Sequence, residues 1–360
     1  MTRFLLALLL LCSLSFKVYS QSALAKYGGD FLSTGAGARA LGMGSTHSAL
    51  ANDVTAAYWN VAGLSRLKNS EVIYMHSERF DGIVGYDYGA AAMPLKNGNG
   101  AIAVSFFRQG VDNIANTLNA WDPNRGDSGG PVENPEDYIT KFSATDLGFY
   151  FSYATIKSEQ LSYGLSAKIV HHHLGPFADA WGYSLDVGAQ YHTRFADYGF
   201  SINDVTTMQK MWDVNENELE ALNTIFGDTV STGQNEYVLP SVKMGISKTF
   251  AFSNFDLITA IDTDLFFENR KAYYMNIGRM SIEPHIGSEI TYKKRVSFRA
   301  GLTDFVDDPE SGFTVSPTLG MGLKLSIFTL DYGFTSFAGT TSDLGYTHRI
   351  SLKFDLKRKS

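Results

Sequence analysis

Among 360 residues there is one cysteine, Cys12, and there are nine prolines. Cys12 sits in an apolar N-terminal stretch, so a chain that loses this stretch has no thiol for a disulfide, a thiolate nucleophile or a metal-thiolate site. No apolar run approaches the ~20 residues of a membrane-spanning helix. If the chain is integral to a membrane, it must cross as a closed barrel, the other structure that satisfies every backbone group internally. Basic clusters are also lacking. Lys and Arg number 30 against 37 acids, a formal charge of −7, which excludes the electrostatic footprint of a nucleic-acid binder.

What is present begins with residues 1–20, read as a signal peptide. Arg3 opens it, an apolar run extends from Phe4 to Leu11 and on to Phe16, and Ser20 after Val18 supplies a cleavage pair. Losing Arg3 and Lys17 takes the formal charge from −7 to −9. Lipidation at Cys12 is disfavoured, because Leu9, Leu10 and Leu11 supply no small residue before it.

From Glu71 almost to the C-terminus, two kinds of position alternate. Trp181, Tyr183, Leu185, Val187, Ala189 and Tyr191 interleave with Gly182, Ser184, Asp186, Gly188, Gln190 and His192. Side chains of a strand point to opposite faces. Segments of about ten residues with an aromatic-rimmed greasy face and a small or polar face indicate a transmembrane β-barrel. The 34 glycines and 13% aromatic content suit such a wall.

Hairpin counting gives about fourteen strands, with connections of alternating length. Short turns fall at 96–100, 157–160, 193–197, 251–254, 293–295 and 326–327. Longer connections fall at 110–142, 172–180, 204–236, 267–278 and 304–312. An even strand number puts both ends of the wall on the short-turn side, as in outer-membrane barrels. The fold class is therefore all-β, an antiparallel transmembrane barrel of about fourteen strands, with residues 1–20 as signal, 21–69 as an N-terminal hatch and 70–360 as barrel. The outer membrane is the expected location.

Faces follow from the period. Leu161, Tyr163, Leu165, Ala167 and Ile169 are assigned to lipid, as are Ile282, Ile286, Ile290, Tyr292, Tyr346, Ile350, Leu352 and Phe354. A charge facing the bilayer midplane costs ~2–4 kcal/mol. Lys168, Asp186, Lys243, Asp256, Asp262, Asp264, Glu283, Glu289, Arg299, Lys324, Asp331 and Arg349 are accordingly placed inside. A bore of this width is not filled by its own side chains. Segment 21–69 breaks the alternation, with a small-residue stretch at 35–44 and helix-like apolar spacing at 52–64 after Asp53, and is read as the filling.

The string Gly37-Ala38-Arg39-Ala40-Leu41-Gly42-Met43-Gly44, with Ala49 to Asp53 (including Asn52), Ala56-Ala57-Tyr58-Trp59-Asn60 and Ala62-Gly63-Leu64, resembles the N-terminal signature of the PorV/PorQ family of outer-membrane proteins. More distantly it is similar to the FadL-type long-chain fatty-acid transporters. The resemblance implies a fourteen-stranded barrel with an N-terminal hatch carrying Gly37, Arg39, Gly42, Gly44, Asn52, Asp53, Asn60 and Gly63. It also implies one of two roles, assistance to type IX protein secretion or passage of hydrophobic small molecules. The family usually has Asn-Pro-Ala-Gly where this chain has Asn60-Val61-Ala62-Gly63, which takes away the rigid turn of a proline at Val61.

Enzymatic readings find little. His171 and His173 share one strand face and His172 takes the other, without the further ligands of a metal site. Asp304, Asp307, Asp308 and Glu310 read as a solvated acidic loop whose spacing fits no calcium loop. Arg125-Gly126-Asp127 reads as a turn. No catalytic residue, cofactor or metal is expected. The inward positions assigned are mostly Gly, Ser, Asp, Glu, Lys and Arg, a lining that binds fatty tails poorly. Trp121, Tyr138, Trp212, Leu219, Leu222 and Phe226 in the two large loops are instead read as protein-docking anchors, three of them on an amphipathic helix at 215–226. The expectation is thus a non-enzymatic barrel that meets membrane lipid and assists type IX secretion or docks exported proteins, the alternative being a FadL-like transporter of hydrophobic small molecules.

Overall fold

The computed structural model describes residues 30–80, 82–96, 98–122, 124–125, 129–218, 235–268, 275–308, 312–336 and 346–356. The signal-peptide reading, Cys12, Leu219, Leu222 and Phe226 lie outside the described residues, as does most of the helix expected at 215–226.

Fourteen antiparallel strands form a closed barrel. In chain order they are β1 (Ser70–Arg79), β2 (Val84–Pro94), β3 (Gly100–Asn116), β4 (Thr140–Ile156), β5 (Leu161–Leu174) and β6 (Ala178–His192). β7 has two segments, Asp197–Asn203 and Met208–Val214, and β8 likewise, Glu236–Val238 and Ser241–Ala251. Then follow β9 (Phe255–Phe266), β10 (Met280–Tyr292), β11 (Val296–Asp308), β12 (Gly312–Leu325), β13 (Phe328–Ser336) and β14 (Tyr346–Leu356). Each pairs with its neighbour in sequence. Closure comes from β1 against β14, running from Ser70 opposite Leu356 to Glu78 opposite His348. Closure removes the unpaired edges that no strand can leave in hydrocarbon. Among the described residues no helix is long and apolar enough to cross a membrane.

The facing assignment holds strand after strand. Leu165, Tyr183, Leu185, Ile286, Phe298 and Ile350 are exposed on the outer surface, whereas Lys168, Asp186, Asp262, Asp264, Glu289, Arg299, Asp331 and Arg349 are buried. Lys243 and Glu283 of the inward set are half-buried beside the cavity within the ring, and two others lie near its end. Asp256 is half-buried and Lys324 is exposed, because both lie near short turns where the wall meets water; Lys324 pairs there with Asp355 at 3.3 Å.

The turn chemistry matches the short-turn end. Lys293 and Lys294 (φ 47° and 56°) take the left-handed conformation between β10 and β11, as does Ser326 (φ 50°) between β12 and β13. At the other end the strands outgrow the bilayer. β3 and β4 run 17 residues each where about 9–11 suffice to cross. The first large connection is therefore shorter than its expected span of 110–142, since pairing continues to Asn116 opposite Thr140. The second begins with strand, because β7 resumes at Met208 and pairs with β6 up to Val214.

The described residues of the N-terminal segment form three short helices, α1 (Asp30–Ser33), α2 (Ala38–Gly42) and α3 (Ala56–Trp59), and a 3-10 turn, Val61–Arg66. α2 packs against β11 to β14 and the 3-10 turn against β2 to β6, on the inner surface of the ring. The helix-like spacing at 52–64 is not one helix. Asn60 is extended (φ −160°, ψ 102°) and ends α3. Its side-chain oxygen then accepts from the Ala62 N–H (3.2 Å), so an Asx cap starts the next turn without the missing proline.

Candidate functional site

Small residues on both partners let the N-terminal backbone lie directly on the wall. A Cβ at wall residue Gly199 would stand 2.1 Å from the Ser48 carbonyl oxygen, one at Gly287 2.1 Å from that of Met43, and one at Gly42 of the segment 2.8 Å from Gly320 Cα. Such contact leaves no room for side chains and brings backbone polar groups within reach of inward ones. The Asn60 amide donates to the Ser48 and Ala189 carbonyls (2.9 and 3.0 Å), and the Gln190 amide donates to that of Ala51 (2.8 Å). Asp262 accepts from the His47 and Ser48 N–H groups (2.9 and 2.7 Å).

Two ion-pair groups join segment to wall. Arg39 donates from Nε and Nη2 to both carboxylate oxygens of Glu289 (2.9 and 2.8 Å). Glu289 also pairs with Arg299, which reaches Asp331 at 2.8 Å. Asp53 accepts from Lys353 Nζ (2.9 Å) and from the Thr55 hydroxyl and N–H. Burial pushes the Asp53 carboxyl up, but Lys353 and Thr55 outweigh it and hold the acid well below the usual carboxylate range. His47 is fully buried beside Trp59, and burial together with the Arg39 charge pushes it down to about 3.

The lining is polar over much of the wall, as expected, but not in every sector. On β1 to β8, Met75, Tyr86, Tyr88, Phe107, Tyr150, Val170, Met208 and Val238 are buried inward and belong to one cluster with Phe31, Leu32, Trp59 and Leu64 of the segment. Phe107 is its centre, with ring centroids 4.6 Å from Tyr88, 5.0 Å from Tyr58 and 5.7 Å from Tyr150. The alternation could have exposed this sector. β2 reads Tyr86, Tyr88, Ala90, Ala92 against Asp87, Gly89, Ala91, Met93, and here the greasier set faces in while Asp87 faces out near the rim, bonded to Tyr74 and His76.

Above the segment, toward the long-loop end, lies a cavity of about 440 Å³. Leu32, Leu41, Tyr58 and Trp59 meet it from the segment, and Tyr150, Val238, Leu239 and Phe266 from the wall. Lys168, Asp186 and Asp204 form a charged cluster on one side, where β7 is interrupted: Lys168 Nζ lies 3.2 Å from Asp186 and 2.7 Å from Asp204, and the Asp204 N–H donates to Asp186 (2.7 Å).

The expected hatch residues sit as follows. Gly37 (φ 84°) donates its N–H to Met75 Sδ at 3.0 Å, and Gly44 (φ 62°) lies against Ile286 and Leu302 backbone atoms. Gly63 abuts the Ala51 carbonyl, leaving no space for a side chain. Asn52 is exposed. Of the expected docking anchors, Trp121 and Tyr138 are exposed in the first large connection. Trp212 belongs to β7, is half-buried and stacks on His172 at 5.9 Å. It faces inward with Met208 and Lys210, because the strand continues through the region expected to be loop. His171 and His173 both reach Asp179 (3.1 and 2.9 Å), and His172 reaches Asp146 (2.7 Å).

No protein-family model matches the chain and no curated protein matches it. Solved structures do. The monoaromatic hydrocarbon channel CymD is 14% identical, with 90% of this chain and 98% of that one covered at a TM-score of 0.58. The toluene transporter TodX of P. putida is 11% identical (90% and 99%, TM-score 0.56), and the toluene transporter TbuX of Ralstonia pickettii is also 11% identical (90% and 99%, TM-score 0.53). At these identities the shared property is the fold. The chain is a fourteen-stranded barrel of the outer-membrane type, and the PorV/PorQ resemblance of segment 35–64 gains no support from these comparisons.

Proposed function

We propose that the protein is a FadL-like outer-membrane channel for hydrophobic small molecules, with residues 30–69 as the hatch that closes its bore. The observation that carries this reading is the aromatic sector around Phe107, which meets the cavity through Leu32, Trp59, Tyr150 and Val238. Aromatic and aliphatic side chains on one side of the cavity offer the apolar surface that a small hydrophobic ligand needs, while polar and charged groups such as Lys168, Asp186, Lys243 and Asp304 line the rest. The fold likeness to hydrocarbon channels supports it. The secretion reading rested on a polar lining and on loop anchors; the aromatic sector interrupts the first, and Trp212 lies in a strand.

Binding tests the proposal. Detergent-purified protein titrated with toluene, and separately with a long-chain fatty acid, should show saturable change in aromatic fluorescence for at least one of them, weakened in Phe107→Asp. No saturable change with either ligand would refute it.

A further inference from the structure

We propose that a furrow across the outer wall holds one anionic phospholipid from the leaflet on the short-turn side, its acyl chain along β8 to β12 and its phosphate on Lys248 and Arg194. The furrow is a recess of about 660 Å³ lined by Ala196, Lys248, Thr259, Ser288, Ala300 and Leu319 among others.

The strand register builds it. Lys248 on β8 stands opposite Thr259 on β9, Thr259 opposite Ser288 on β10, Ser288 opposite Ala300 on β11, and Ala300 opposite Leu319 on β12. These positions point outward, and the middle three carry small side chains. The next outward row toward the long loops is Ile246, Ile261, Ile286 and Leu302, all exposed. The next row toward the short turns includes Leu257, Ile290 and Phe298. Bulk on both sides of a small row leaves a furrow, and a chain laid in it gains dispersion contacts that a flat wall does not give. The Ser288 hydroxyl donates to the Ile258 carbonyl at 3.1 Å, so this floor residue turns no unpaired hydroxyl to the lipid.

The furrow runs obliquely into the bilayer. Ala196 belongs to the turn between β6 and β7, Lys248 lies three residues from the end of β8 at Ala251, and Leu319 six from the end of β12 at Leu325. At ~3.4 Å per residue, Leu319 is about 10 Å further along the strands than Lys248. Five neighbouring strands at ~4.8 Å spacing make the row roughly 19 Å long, a span for an acyl chain rather than for a compact solute.

Its mouth is cationic. Lys248 is half-buried and its Nζ donates to the Arg194 carbonyl (3.0 Å), while the Arg194 guanidinium lies 4.5 Å from the centre of the Phe195 ring. Among the described residues neither cation pairs with a carboxylate, whereas the inward Lys168, Lys243 and Lys353 all do. An ammonium carries three donors, so Lys248 keeps N–H groups for a phosphate. An apolar furrow that ends at two such cations complements a lipid of net negative headgroup.

The test is native mass spectrometry of the full-length protein, stripped of lipid in detergent and titrated with phosphatidylglycerol or with phosphatidylethanolamine of the same acyl chains. One phosphatidylglycerol should bind saturably, and phosphatidylethanolamine should bind more weakly. Lys248→Gln should weaken phosphatidylglycerol binding about 5-fold, and Lys248→Gln with Arg194→Gln about 30-fold. Ser288→Leu with Ala300→Phe, which fills the furrow from positions that face lipid, should abolish it. Lys157→Gln, which removes a cation from the turn between β4 and β5, should change nothing. Heat-dependent gel migration confirms that each variant is folded, and the lysine and arginine variants decide the matter if the filled one is not. No bound lipid in the parent protein, equal binding of the two lipids, or undiminished binding in the double cation variant would overturn the site. So would a loss in Lys157→Gln as large as that in Lys248→Gln.

Discussion

Replacing Arg39 by alanine removes the two-point contact between the N-terminal segment and Glu289. The Arg39 side chain is 22% exposed and that of Glu289 5%, so solvent screens the pair little, and losing one partner of a buried pair is costly. Glu289 keeps Arg299, which lowers the loss from that of a fully orphaned carboxylate to about 1.5–3 kcal/mol, the range for hydrogen bonds to charged groups. At about 1.4 kcal/mol per decade, the undocked fraction of the segment rises roughly 10- to 150-fold. Single-channel recording in planar bilayers reads this directly: the parent protein should be almost always closed, and Arg39→Ala should spend 10- to 150-fold more time open with unchanged unit conductance. Glu289→Gln should act in the same direction. An open fraction within twofold of the parent in both variants would refute the closure role of the segment.

Four further outcomes are expected. Deleting residues 21–65 should leave an insertable barrel that conducts steadily; conductance equal to that of the intact protein would place the segment outside the conducting path. Gly199→Val should open the channel as Arg39→Ala does, because its Cβ would sit 2.1 Å from the Ser48 oxygen, whereas Gly85→Ala, with nothing within 4 Å, should be silent in the same recording. His47 titrates at about 3 when docked against about 6.5 when free. The docked segment therefore binds fewer protons, so docking is fully stable above about pH 6.5 and weakens as pH falls toward 3; open time should climb on acidification and climb less in His47→Gln. Single cysteines at Leu185 and Leu352 should react with lipid-dissolved probes and those at Asp186 and Lys353 should not, the reverse pattern meaning a register shifted by one.

The barrel was legible because period two, loop sorting and the cost of charges in lipid all act on local sequence. Strands such as β5, with Leu165 out and Lys168 in, leave no choice of face. The aromatic sector was not legible in the same way. In β2 both faces carry greasy and small residues, so only the pairing of Tyr88 opposite Phe107 and the packing of Tyr58 against them decide the direction. The meeting of Asp264 with Glu283 was hidden for a different reason. Asp264 and Glu283 are far apart in sequence, and only the β9–β10 register sets them face to face. The string at 37–63 pointed to a distinct segment, and the glycines of the wall, such as Gly199 and Gly287, are its counterpart: they read as lumen composition until the segment backbone is laid on them.

Uptake by cells tests the transport role most directly. A deletion strain and its complemented parent would be given radiolabelled toluene at low concentration, and separately a labelled long-chain fatty acid, while the proteins of the medium are quantified in parallel. Transport predicts that saturable uptake of one of these solutes falls in the deletion strain, returns with the intact gene but not with Phe107→Asp, and that the exported proteins are unchanged. Equal uptake of both solutes with loss of exported proteins from the medium would contradict it.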